Sequence, residues 1–125
     1  MSEVYPDYPD VVLAMVVVDC VDPDRLATFW GELLGRQVLP GDETYVSLEW
    51  APRFGAGLIF QRVAEPTPGK NRVHTDIICS DIEATAKRAE ELGARGAEGY
   101  AMQNIVVMLD PEDNVFCLVP PPGSA

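Results

Sequence analysis

The sequence predicts an α+β fold, with tandem βαβββ modules forming a curved mixed sheet around a cavity. Three observations predict it. A strand-like apolar run followed by a helix-like amphipathic run occurs twice, 59 residues apart. Each helix-like run ends in glycine and is followed by short apolar segments separated by turn residues. The length of 125 residues, 47% of them hydrophobic, suits one ordinary core rather than two independent ones. Residues 1–125 are therefore expected to form one internally duplicated domain, with a first module over about 11–63 and a second over about 72–119.

The opening MSEVYPDYPD and closing PPPGSA are rich in Pro, Asp and small residues, and read as an extended arm and a loose tail. VVLAMVVVDC, residues 11–20, reads as a buried strand. Its apolar part is too short to span a bilayer and is preceded by acids, unlike a signal peptide, so a soluble protein with no membrane partner is expected. Residues 22–35 carry Leu26, Phe29, Trp30, Leu33 and Leu34 at helical spacing, with Asp22 as N-cap, Pro23 at the first helical position and Gly35 as the stop. Short strands should follow over 36–40, 44–51 and 57–63.

The second half repeats the order. RVHTDIICS (72–80) reads as a strand and 81–93 as a helix, with Ser80 and Glu83 at capping-box spacing. Strands should follow over 95–101, 104–110 and 114–119. Asp22 falls on Asp81, Glu32 on Glu91 and Leu33 on Leu92. Such modules bury most surface when the helix covers one sheet face and the two sheets lie side by side, leaving a concave face for a ligand.

Twenty acidic against nine basic residues give a formal charge of −11, which excludes nucleic-acid binding through a basic face and favours cationic or neutral small molecules. Cys20, Cys79 and Cys117 form no CxxC pair and read as thiols of a reducing cytoplasm.

The duplication, together with DPDRLATFWGELLGRQV, KNRVHTDIICSDIEATAKRAEELGA and the terminal DPEDNVFCLVP, resembles the vicinal oxygen chelate superfamily of glyoxalases, bleomycin-resistance proteins and extradiol dioxygenases. The likeness is strongest to compact glyoxalase-like proteins common in actinobacteria. It runs from about Val11 to Val119 and implies the glyoxalase/bleomycin-resistance fold, while leaving the activity open. The resemblance carries the metal-ligand positions of the metal-dependent members onto Met15, Gln61, His74 and Cys117. Such members present His or Gln, Glu, His and Glu, so the set here lacks both carboxylates and no metal or other cofactor is expected.

His74 has two readings, a histidine satisfied by a neighbour or a polar ligand contact and proton shuttle. Asp76 shares its strand face and pairs either with it or with a base such as Arg72. Cys117 reads as an inert buried thiol unless an imidazolium stabilises its thiolate. Alternation in TYVSLEWA sends Val46 and Leu48 toward the helix and Tyr45, Ser47 and Glu49 to the other face. Trp50, Phe54 and Tyr100 are candidate planar walls, with Trp50 the leading one, whereas Phe29, Trp30, Phe60 and Phe116 should pack between helix and sheet. APRFGAG reads as a hairpin turn, without the context of a phosphate loop.

The expected ligand-binding set is Met15, Tyr45, Ser47, Glu49, Trp50, Gln61, His74, Asp76 and Cys117. The leading functional expectation is a homodimer that sequesters an aromatic natural product or antibiotic in a metal-free cavity at the dimer interface, unchanged, as bleomycin-resistance proteins do. The alternative is a lyase or isomerase, metal-independent or unusually ligated, with His74 as acid–base and Glu49 or Asp76 as its partner.

Overall fold

Two helices cap the two halves, each opened by an aspartate and closed by a left-handed glycine. A computed structural model describes residues 11, 13–97 and 104–123. The arm at 1–10, Tyr100, much of the expected 95–101 strand and the last tail residues lie outside them. Helix α1 spans Pro23–Leu34, with the Asp22 side chain accepting from Arg25 N and Gly35 at φ 68°. Helix α2 spans Ile82–Leu92, and Gly93 closes it at φ 119°. Its N-cap is Asp81, whose carboxylate accepts from Ala84 N at 3.0 Å. The expected Ser80–Glu83 capping box is therefore replaced by an aspartate cap one residue later, which satisfies an orphan helix N–H in the same way as in α1.

Strands β1 (Met15–Cys20), β2 (Tyr45–Ser47) and β3 (Gly57–Arg62) form the first sheet in the order β1-β3-β2, β1 parallel and β2 antiparallel to β3. The second sheet runs β4-β7-β6-β5, from β4 (Thr75–Ile78), β5 (Arg95–Gly96), β6 (Val106–Leu109) and β7 (Val115–Val119). The expected curved sheet is thus two mixed sheets, one per half.

Several strands are shorter than their apolar runs, because a strand extends only as far as its partner. The 11–20 strand begins at Met15, opposite Gly57, where β3 begins. The 72–80 strand keeps only Thr75–Ile78, the length that β7 pairs. The expected 36–40 strand reduces to a single bridge, Val38 to Leu48. APRFGAG does join two antiparallel strands, through a short 3-10 turn at Pro52–Phe54 and Gly55 at φ 79°.

The main core is drawn from both halves and includes Leu26, Phe29 and Trp30 of α1, Val46 and Phe60 of the first sheet, and Met108, Phe116 and Leu118 of the second. Phe29, Trp30 and Phe116 meet edge to face, with the Trp30 and Phe116 centroids 4.9 Å apart. Polar contacts across the halves add to this. Trp30 Nε1 donates to Asp110 Oδ2 at 3.0 Å, and the Glu112 carboxylate accepts from Val21 N and Asp22 N at 2.7 Å each. Asp110 is fully buried, yet also accepts from Glu112 N, Asn114 N and the Asn114 side chain. Burial pushes its carboxyl up from the usual range, against the pull of those donors. Among the described residues, no helix is long and apolar enough to cross a membrane.

Candidate functional site

Alternation along β1 sends Val16, Val18 and Cys20 toward the helices and Met15, Val17 and Asp19 to the opposite face. In the second half Thr75 and Ile77 are the more covered residues of β4, while His74, Asp76 and Ile78 are exposed. Paired residues on neighbouring strands share a face, so Cys117, opposite Asp76, lies on this side. With Val107 and Val115 it forms a small apolar cluster separate from the main core.

Three expected residues come together there. His74 Nε2 lies 3.5 Å from Asp76 Oδ1, and both lie within 4.8 Å of Cys117 Sγ. The His74 partner is thus Asp76, and Arg72 makes no ion pair with that carboxylate among the described residues. Burial first, then the charge and hydrogen bond of Asp76, push the Cys117 thiol up, against the pull of Lys70. A thiol held protonated is a poor nucleophile. The cluster offers a polar, partly wetted contact backed by an apolar wall.

The first half builds a different surface. Met15 and Trp50 crowd the space above Gly57, where a β-carbon would overlap Met15 Sδ and approach Trp50 Cδ1 to 3.0 Å. Trp50 Nε1 donates to Gly55 O at 2.6 Å, fixing the ring against its own loop. Tyr45 and Asp19 flank Gln61 from the two neighbouring strands, and Ser47 pairs with Ile59. Glu49 is committed elsewhere: its Oε1 accepts from Gln37 N at 3.0 Å and its N–H donates to Gln37 O at 2.7 Å.

The ladders also correct the equivalence between halves. The 59-residue shift that superposes Met15 on His74 puts Val17 on Asp76. Val17 pairs with Ile59, whereas Asp76 pairs with Cys117. The match to Cys117 is therefore Ile59, and Gln61 sits on the same face one pleat repeat further along. Similar apolar context around Phe60 and Phe116 hid this slip, which strand periodicity alone cannot detect.

The metal that the resemblance implies is not matched by this donor set. Three possible ligand atoms come from the second half, and the equivalent positions of the first offer a thioether packed over glycine and an isoleucine. The carboxylate-rich environment that suits a hard divalent ion is absent from those positions.

None of the expected ligand-binding residues lines a cavity of about 380 Å³ that lies between β1, β4 and α1. Its walls include Lys70 and Arg72 from the linker between halves. Sequence reasoning passed over Lys70 and weighed Arg72 only as an ion-pair partner of Asp76, because a cavity between two sheets has no local signature.

The profile of the glyoxalase-like domain matches residues 15–119, that is, both halves. The chain belongs to this glyoxalase-like family, within the vicinal oxygen chelate superfamily. Solved structures agree on the fold. A glyoxalase/bleomycin resistance protein/dioxygenase family enzyme from Burkholderia phytofirmans PsJN superposes with a TM-score of 0.73 at 18% identity, over 88% of this chain and 98% of that one. The oxidase ChaP-H2 gives 0.66 at 21% identity, over 93% and 98%. The trypanothione-dependent glyoxalase I of Leishmania major gives 0.65 at 17%, over 89% and 87%. No curated protein matches the sequence. At these identities the glyoxalase-like domain shares a fold with enzymes of different chemistry, and its own activity rests on its site.

Proposed function

We propose that this glyoxalase-like protein is a small-molecule-binding protein that sequesters an aromatic natural product or antibiotic without transforming it, on the face carrying Met15, Trp50, His74 and Asp76. One observation carries the reading: the second half keeps a His–Asp–Cys cluster while the first half places a packed thioether and Ile59 at the equivalent positions. Tyr45, Ser47, Gln61 and Cys117 belong to the proposed surface, and Glu49 borders it from its bond to Gln37. Leu13, Met15 and Val17 leave apolar surface on that side, Val17 at 50% exposure, which supports a homodimer in which a second copy covers it. Three buried free thiols fit a reducing, cytoplasmic setting.

Native mass spectrometry with elemental analysis of protein purified from its own cells tests this. A retained aromatic compound, released unchanged and without stoichiometric metal, is the expected result. One metal per chain, or a guest converted on incubation, sinks the reading. The His74–Asp76 distance favours a second reading, a lyase or isomerase in which His74 moves the proton and Asp76 orients it. In that case His74→Ala would lower turnover by about 10²–10⁴-fold.

A further inference from the structure

The cavity between the two halves is separate in its lining from the His74 cluster. It opens where the sheets end, since β1 and β4 are both edge strands. Val16, Val18, Leu34, Leu58, Phe60 and Ile77 give it apolar walls. Its volume of about 380 Å³ lies within the range of small-molecule sites.

Charge is distributed unevenly around those walls. The buried Asp110 faces the cavity, but Trp30, Glu112 N and Asn114 already use its carboxylate. Asp19 sits where the cavity meets a second groove that runs past Arg25 and Glu112. Arg72 is different. It is exposed at the cavity wall, with no hydrogen bond or ion pair among the described residues.

The backbone that carries this guanidinium is held in place. Asn71, the preceding residue, accepts from Val115 N at 2.7 Å, and its Nδ2 donates to Val115 O at 3.1 Å and to Val73 O at 2.6 Å. The side chain thus ties the linker to the start of β7 as a short extra rung would. An apolar chamber with an unpaired guanidinium on a tethered backbone at its wall suits an apolar body bearing one negative charge.

We propose that this cavity binds a small monoanionic molecule, its planar or alicyclic apolar body between β1 and β4 and its carboxylate or sulfonate on Arg72. The site stands independently of sequestration at the His74 face. Fluorescence titration with 8-anilinonaphthalene-1-sulfonate, an aromatic anion, and the uncharged N-phenyl-1-naphthylamine tests it on the full chain. Saturable binding of one anionic probe per chain is expected. Arg72→Gln should weaken the anionic probe about threefold to tenfold and leave the neutral one within about twofold, the range for one partly solvated charge contact. Leu58→Trp, which fills the chamber, should remove both, and His74→Ala should change neither. Should Leu58→Trp fail to fold, methyl NMR shifts in the wild type decide, and they should fall on Val16, Val18, Leu34, Leu58 and Ile77. Absence of saturable binding, an unchanged anion affinity in Arg72→Gln, loss in His74→Ala, or shifts confined to Leu13 and Met15, which lie outside the lining, would each overturn the proposal.

Discussion

Trp30 Nε1 and Asp110 Oδ2, 80 positions apart in the chain, meet at 3.0 Å in the buried seam between the two halves. The indole N–H spends its hydrogen bond on this carboxylate, and Asp110 organises its own turn through Glu112 N and the Asn114 side chain. Asp110→Ala should therefore cost about 2–4 kcal/mol, because it strands several buried donors at once. Urea unfolding checks this, and a loss below about 1 kcal/mol would show that the seam tolerates the missing acceptor.

The same carboxylate sets a pH dependence. Its folded-state value is raised by burial, so between the unfolded and folded values the folded chain holds a proton that the unfolded chain has released. The contribution of Asp110 to stability is thus present at low pH and lost as pH rises through its folded value. Melting temperatures of wild type and Asp110→Asn, compared in steps downward from neutrality, should diverge in favour of wild type. A constant gap would place the ionisation elsewhere.

Glu112 acts as a cap supplied from the other half. It accepts from Val21 N and Asp22 N just before α1, where a negative charge also meets the positive end of the helix dipole. Glu112→Gln should cost about 0.5–1.5 kcal/mol. Hydrogen exchange should locate the loss at Val21 and Asp22, and unchanged protection there would refute the capping role.

Gly57 holds its place by lacking a side chain. A β-carbon would overlap Met15 Sδ and crowd Trp50, so Gly57→Ala should displace the flexible thioether at a cost of about 1–2 kcal/mol. Adding Met15→Ala should relieve most of that crowding. Additive losses in the double-mutant cycle would show that the two residues do not compete for the space.

The three thiols should resist labelling in the folded protein. All are buried, and burial pushes the Cys20 thiol up to about 12, with Cys117 raised by burial and Asp76. Labelling by iodoacetamide at pH 8 should require unfolding. Fast modification of Cys117 alone would instead mark an activated nucleophile beside His74.

The sequence by itself determined the repeat, the two helices and the facing of their side chains. Asp22, Gly35 and Gly93 carry local physics, namely a cap and left-handed stops, and Val46 against Tyr45 follows from a period of two, whereas the sequence puts the cap of α2 one residue early, on Ser80. His74 beside Asp76 was legible for the same reason, since two residues on one strand share a face. Only the tertiary structure decided what lies across a ladder or a seam. Pairing placed Cys117 opposite Asp76 and Ile59, not Gln61, at its counterpart, because register depends on a partner strand about 40 residues away. Strand lengths followed the same rule, as the bridge left from 36–40 illustrates. The Trp30–Asp110 lock, the cap from Glu112 and the chamber beside Arg72 join segments with no local signature in common. They exist because packing one core from both halves brings those segments together and leaves two sheet edges apart.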